Sequence, residues 1–294
     1  MASPAPAKRP SRRTKPIEGN DLLYHFFQKT LLDEDAEQFQ SLTTRLVVSL
    51  GVWLPLEAYR RYPLLVPYAV RDPKCRKGQG RDDEWGSPNA AGYFRDDNSL
   101  VKGIPRSLLV NNPSNRLMHG RKLGNSFVAA HVWRMLIDGS EAPRNPLTYS
   151  FLPNLVWLPS QLAKLSDREG SFVQTLLQAI SRKIYFNAEL SSGLTEFADA
   201  AWSLLPERAP LEVPLPDLAA LNFFHFDEAW LQRRLKTLKL VASALGNVAH
   251  GISLTEKVIS SRYGGGLVKV DTSTAAALGA ELSRYLVAAS EPGI

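Results

Sequence analysis

Three polar residues stand at intervals inside apolar sequence. His131 closes the alternation of "FVAAHVW", Asn154 opens the run "NLVWLP", and Asp167 follows the asparagine by thirteen residues. A neutral imidazole has a pKa near neutrality and can take a proton from water at pH 7. A carboxylate can hold a divalent cation, or stand in a first helical turn where the dipole favours it. Each residue also has a purely structural explanation. His131 alone suits a satisfied core histidine, and Asn154 after Pro153 suits a turn. Asp167 falls inside Ser166–Glu169, the S-x-x-E pattern of a helix capping box. Nearby, residues 101–144 carry seven basic side chains (Lys102, Arg106, Arg116, Arg121, Lys122, Arg134 and Arg144) against two acids. Such a stretch is a solvated basic face or a phosphate-facing surface. Of the other histidines, His25, His225 and His250 lie in apolar stretches and read as packed, and His119 lies in a basic turn.

The elements that would position these residues come from apolar periodicity. Residues 20–62 are mostly helical in pattern, with Phe39, Leu42, Leu46, Val47 and Leu50 at helical spacing. A loop rich in Gly, Asp and Arg follows, "RDPKCRKGQGRDDEWGSPNAAGYFRDDNS", with Trp85, Tyr93 and Phe94 to pack it. Long aperiodic loops are commonly functional. "FVAAHVW" and "LVWLP" read as strands joined by residues 132–153. Ser171 is a candidate N-cap for the helix "FVQTLLQAISRKIYF". "PERAPLEVPLPD" is a Pro-rich connection, and "RYGGGL" is a glycine turn. Two more helices follow: one carries a basic stripe (Arg233, Arg234, Lys236, Lys239), and the other is capped near Asp271.

Several chemistries lack their motif. The sequence has no phosphate-binding GxxxxGK[ST] loop, no GxGxxG, no GxSxG and no HExxH. The single cysteine, Cys75, excludes an internal disulfide and a Cys-rich zinc site, and fits a reducing, cytoplasmic setting. No stretch is long and apolar enough to span a bilayer, so no membrane partner is expected. The net charge is +6, of which the tail "MASPAPAKRPSRRTKPIEGN" supplies +4. Its composition reads as disordered, either a basic arm for nucleic acid or a solubilising tail.

The order "AHVW", "NLVWLP" and "SD" resembles the HNH nucleases, whose site is a ββα-metal hairpin and helix. The resemblance covers about residues 127–186. It implies that His131 is the general base and that Asn154 braces the hairpin loop so that the ring points correctly. It makes Asp167 a helix-borne ligand to a divalent metal, Mg²⁺ or Mn²⁺, which would neutralise charge on the phosphate and the leaving oxygen. Arg116, Arg121, Lys122 and Arg134 would contact DNA phosphate. Ala130 stands where many members carry an acid or histidine as a second metal ligand, and the helical histidine of the family is absent. A further ligand would then come from Asn125, Asp138, Asp96 or Asp97.

The expected fold class is mixed α/β (α+β), mostly helical, with an embedded ββα-metal hairpin–helix unit. Four regions are expected: a disordered basic tail (1–19), a helical and loop region for DNA recognition (20–123), the HNH-like ββα unit (124–190) and a C-terminal helical region (191–294). Arginines of "DPKCRKGQGRDDEWG" would read guanine edges. The expected function is a metal-dependent DNA endonuclease, of restriction or defence type, acting as a homodimer where both strands of a symmetric site are cut. The alternatives are a non-catalytic nucleic-acid-binding protein and a helical protein-interaction module.

Overall fold

The computed structural model describes residues 33–75, 89, 92–207, 211, 214–255 and 266–290. The basic tail, His25, Arg76, Arg81, Trp85 and the glycine turn at 264–265 lie outside the described residues. Two compact units are distinguished, Met1–Thr43 and Thr44–Ile294. The described part of the first is the beginning of helix α1 (Asp33–Leu50). The second carries everything below.

Helix α1 ends at Gly51, and only glycine fits there. A Cβ at this position would lie 2.6 Å from the Val47 carbonyl oxygen. Strand β1 (Val52–Trp53) follows, fully buried. Pro55 then opens the short helix α2 (Leu56–Arg61), where its fixed φ suits the entry. β2 (Ala69–Arg71) and β3 (Phe94–Asp96) form a parallel pair, with Arg71 in register with Asp96. Helix α3 (Ser99–Gly103) leads to β4 (Val110–Asn111), then β5 (Phe127–His131) and β6 (Leu155–Pro159).

After β6 come the single turn α4 (Ser160–Ala163), α5 (Phe172–Tyr185) and α6 (Ser192–Leu204). β7 (Asn222–Phe224), α7 (Glu228–Ala249) and α8 (Thr272–Ser290) are the last of the described elements. The main sheet has the order β4-β7-β1-β6-β5. Only the β1–β7 pair in it is parallel. The chain is therefore mixed α/β and mostly helical. No described helix is long and apolar enough to cross a membrane.

The hairpin β5–β6 is not a free-standing unit. β6 pairs on its other edge with β1, Val52 opposite Trp157, so an N-terminal strand supports it. Nor is 191–294 wholly helical. β7 enters the sheet between β4 and β1, held by Asn222. The Asn222 amide nitrogen donates to the carbonyls of Val48, Ser49 and Gly51, and its oxygen accepts from Asn112 and Asn115. A three-residue strand built round an asparagine leaves no alternating pattern to read.

Candidate functional site

β5 and β6 pair antiparallel over five positions, from Phe127 opposite Pro159 to His131 opposite Leu155. The apolar run LVWL of β6 is buried, which fits a strand inside the sheet. His131 therefore ends β5 where the chain leaves the sheet, and Asn154 stands at the start of β6. Asn154 is fully buried. Its amide oxygen accepts from the Trp133 N–H at 2.7 Å, and its amide nitrogen donates to the Thr148 carbonyl at 2.9 Å. The Val132 N–H donates to the Asn154 carbonyl at 3.0 Å. One side chain thus ties both ends of the 132–153 connection together.

His131 is 8% exposed. Its Nε2 lies 3.0 Å from the Tyr149 carbonyl oxygen, and its ring stacks on the Tyr149 ring at 5.6 Å. A carbonyl only accepts, so Nε2 carries the proton of the neutral ring and Nδ1 keeps the lone pair. Nδ1 makes no hydrogen bond among the described residues. Burial pushes the His131 pKa down to about 3, and the Arg71 charge adds to this. The Tyr149 carbonyl bond opposes the shift, and Arg134 contributes a smaller lowering. The imidazole is neutral at physiological pH.

Tyr149 is itself anchored. Its hydroxyl donates to the Asp96 carboxylate at 2.5 Å. Asp96, fully buried, also accepts from the Leu100 N–H and the Ser99 hydroxyl. Burial raises its pKa, against the pull of those bonds.

His131 lines a cleft of about 720 Å³, together with Arg71, Lys102, Arg134, Lys164 and Asp167 among others. Asp167 and Arg134 form an ion pair at 3.2 Å across the cleft wall. Asn154 does not line the cleft. Arg116, Arg121 and Lys122 are exposed on residues 112–126 and do not line the cleft. Hence Arg134 is the one anticipated phosphate contact that shares the cleft with His131.

Asp167 is not helix-borne. It follows a 3-10 turn (Lys164–Ser166), and Gly170, at φ +73°, separates it from α5. The Ser166 hydroxyl donates to the Ala163 carbonyl and caps nothing. Ser171 is the cap of α5, accepting from the Gln174 N–H. His225 and His250 are exposed, not packed. Nδ1 of His119 accepts from the Asn112 N–H at 3.2 Å.

The residues present do not fit a resident divalent metal. Ala130 offers no ligand, and Asp167, in an exposed ion pair with Arg134, belongs to no group of three or more potential ligands among the described residues. Asp96 has its oxygens bound from three sides. Asp138 is exposed and accepts from Ser140, outside the cleft. Asn125 gives its backbone carbonyl to Lys102 Nζ at 3.2 Å and does not line the cleft. Asp97 lines the cleft but accepts from the Ser99 N–H. No group of three or more His, Cys, Asp or Glu side chains able to hold a metal occurs among the described residues. Five cationic side chains line the cleft (Arg71, Lys102, Arg134, Arg144 and Lys164) against three carboxylates (Asp97, Glu141 and Asp167), an excess of positive charge that disfavours a dication.

No family model, no curated protein and no solved structure matches the chain. Arg71, Lys164 and Tyr149 were not singled out by sequence reasoning, and Lys102 was counted only as part of the basic stretch. Arg71 comes from a three-residue strand and Tyr149 from an aperiodic connection, so no spacing marks either of them.

Proposed function

We infer that the chain is a DNA endonuclease of HNH type that hydrolyses phosphodiester bonds in the cleft beside His131. One observation carries this: a neutral imidazole, fixed through Nε2 by a backbone carbonyl and with no hydrogen bond to Nδ1 among the described residues, lines a cleft together with Arg71, Lys102, Arg134, Arg144 and Lys164. The cations supply positive charge for a phosphate, and the negative charge of a bound phosphate would raise the His131 pKa from about 3 towards the range in which the imidazole takes a proton from an attacking water. Asn154 supports the reading as the residue that fixes the connection carrying both Trp133 and Thr148. The divalent metal that the HNH resemblance implies has no suitable donor set among the described residues, and no step is drawn through one. A restriction or defence role, a cytoplasmic setting and a two-fold dimer for cutting symmetric sites belong to the same proposal.

The missing second metal ligand favours one other reading, a nucleic-acid-binding protein without catalysis. Supercoiled plasmid separates the two. Nicking by the wild type, with a loss of about 10²–10⁴-fold in His131→Ala, is expected for general-base catalysis. DNA retention that falls steeply with salt, with no nicking, would instead establish the binder.

A further inference from the structure

Arg71 is a cleft arginine with no carboxylate partner among the described residues. It ends β2 in register with Asp96, whose carboxylate holds the Tyr149 hydroxyl. Arg71 lines the cleft that His131 also lines. Its Nε is buried and has no hydrogen-bond partner, and no carboxylate pairs with it among the described residues. The neighbouring arginines differ. Arg95 pairs with Asp72 at 3.6 Å, Arg134 with Asp167 at 3.2 Å, and Arg144 with Glu141 at 2.6 Å. A partly buried guanidinium without an anion is costly unless an anion arrives. Its planar fork matches a phosphate better than a point charge does.

We propose that Arg71, with Arg134 beside it, is the seat of the scissile phosphate and supplies the counter-charge that a divalent metal supplies in the enzymes this segment resembles, so that cleavage proceeds without a metal. The inference rests on the nuclease reading above. Arg71 holds the non-bridging oxygens. Arg134 turns to the phosphate from Asp167, an exposed pair held by modest energy. The step balances with groups on the page and water. The water oxygen forms the new bond to phosphorus as its proton passes to Nδ1 of His131. The bond from phosphorus to the departing sugar oxygen breaks with its electron pair, and that oxygen takes a proton from solvent. His131 then returns its proton to solvent.

The test uses the full chain and supercoiled plasmid, with EDTA or with Mg²⁺. The expected result is nicking in EDTA at a rate within a few-fold of that in Mg²⁺. Arg71→Gln should lower that rate by about 10²–10³-fold, the usual cost of removing one preorganised contact to developing charge, and Arg71→Lys should recover part of it. Nicking that appears only with Mg²⁺ overturns the proposal and leaves the nuclease reading intact. Nicking in EDTA that Arg71→Gln does not slow also overturns it. If the wild type nicks under neither condition, the nuclease reading falls. The phosphate seat is then judged by retention of a labelled duplex oligonucleotide in EDTA. Binding about tenfold weaker in Arg71→Gln upholds the seat, and unchanged binding removes it. Should Arg71→Gln not fold, as judged by circular dichroism, Arg134→Gln on the exposed wall takes its place in every comparison.

Discussion

His131 is kept neutral by the surroundings that hold it, and this has a consequence for stability as well as for chemistry. Its pKa in the folded chain is pushed down to about 3, mainly by burial and then by Arg71. In an unfolded chain it returns to about 6.5. Between those values the unfolded state binds a proton that the folded state does not, so stability falls as the pH falls. The stabilisation from a neutral His131 is complete above about pH 6.5 and is lost progressively towards pH 3. Asp96 runs the other way. Its raised pKa means that the folded state gives up its proton later than the unfolded one, so its contribution weakens as pH rises through the folded value. His131→Gln isolates the histidine. It removes the stacked ring and should melt below the wild type at pH 7, but the gap should narrow at pH 5, because only the wild type acquires the protonation penalty. Thermal melts of both proteins at the two pH values check this. A gap that stays constant would mean that His131 titrates normally and is not buried as described.

The hairpin depends on Asn154 more than on either strand. Its two side-chain bonds, to the Trp133 N–H and the Thr148 carbonyl, are buried, and removing the amide strands both partners away from water. Asn154→Ala should therefore destabilise the fold by about 2–4 kcal/mol, as two buried groups left unpaired would require. Asn154→Asp should do nearly as badly at neutral pH, since it keeps the acceptor for Trp133 but turns a carboxylate oxygen on the Thr148 carbonyl. Urea unfolding decides the matter, and two midpoints close to that of the wild type would show that the brace is dispensable. Elements of this length were legible in sequence where apolar runs reached five residues or more. β5, β6 and α5 with its Ser171 cap fall in this class, as does α8, whose Asp271 accepts from the Thr274 N–H. β1, β4 and β7, of two or three residues, were not. Asp167 was misplaced for a different reason. Ser166 and Glu169 have capping-box spacing, but the positive φ of Gly170 breaks the chain there and hands the cap to Ser171.

At the scale of the molecule, the position of His131 depends on the far end of the chain. Tyr149 holds the imidazole, and its neighbour Ser150 is locked to residues 65–66. The Leu65 N–H donates to the Ser150 carbonyl, the Val66 N–H donates to the Ser150 hydroxyl, and that hydroxyl donates to the Val66 carbonyl. Residues 64–65 are in turn held by the C-terminal helices. The Tyr285 hydroxyl of α8 accepts from the Leu64 N–H at 3.0 Å and donates to the Leu64 carbonyl at 3.1 Å. Arg234 of α7 donates to the Leu65 carbonyl at 2.6 Å. Arg234 was read as part of a basic stripe, yet it is buried while Arg233, Lys236 and Lys239 are exposed. Helical spacing cannot show that one cation of a stripe turns inward to a carbonyl far away in sequence. Tyr285→Phe deletes one oxygen and leaves both Leu64 groups unpaired in the core, so it should cost about 1–3 kcal/mol in urea unfolding. Because the loss reaches His131 only through residues 64–66 and 149–150, nicking should drop by less than in His131→Ala, and duplex retention should be unchanged. Equal losses in the two variants would mean that α8 takes part in the cleft directly. An unchanged stability would mean that the C-terminal helices do not brace the Tyr149 segment at all.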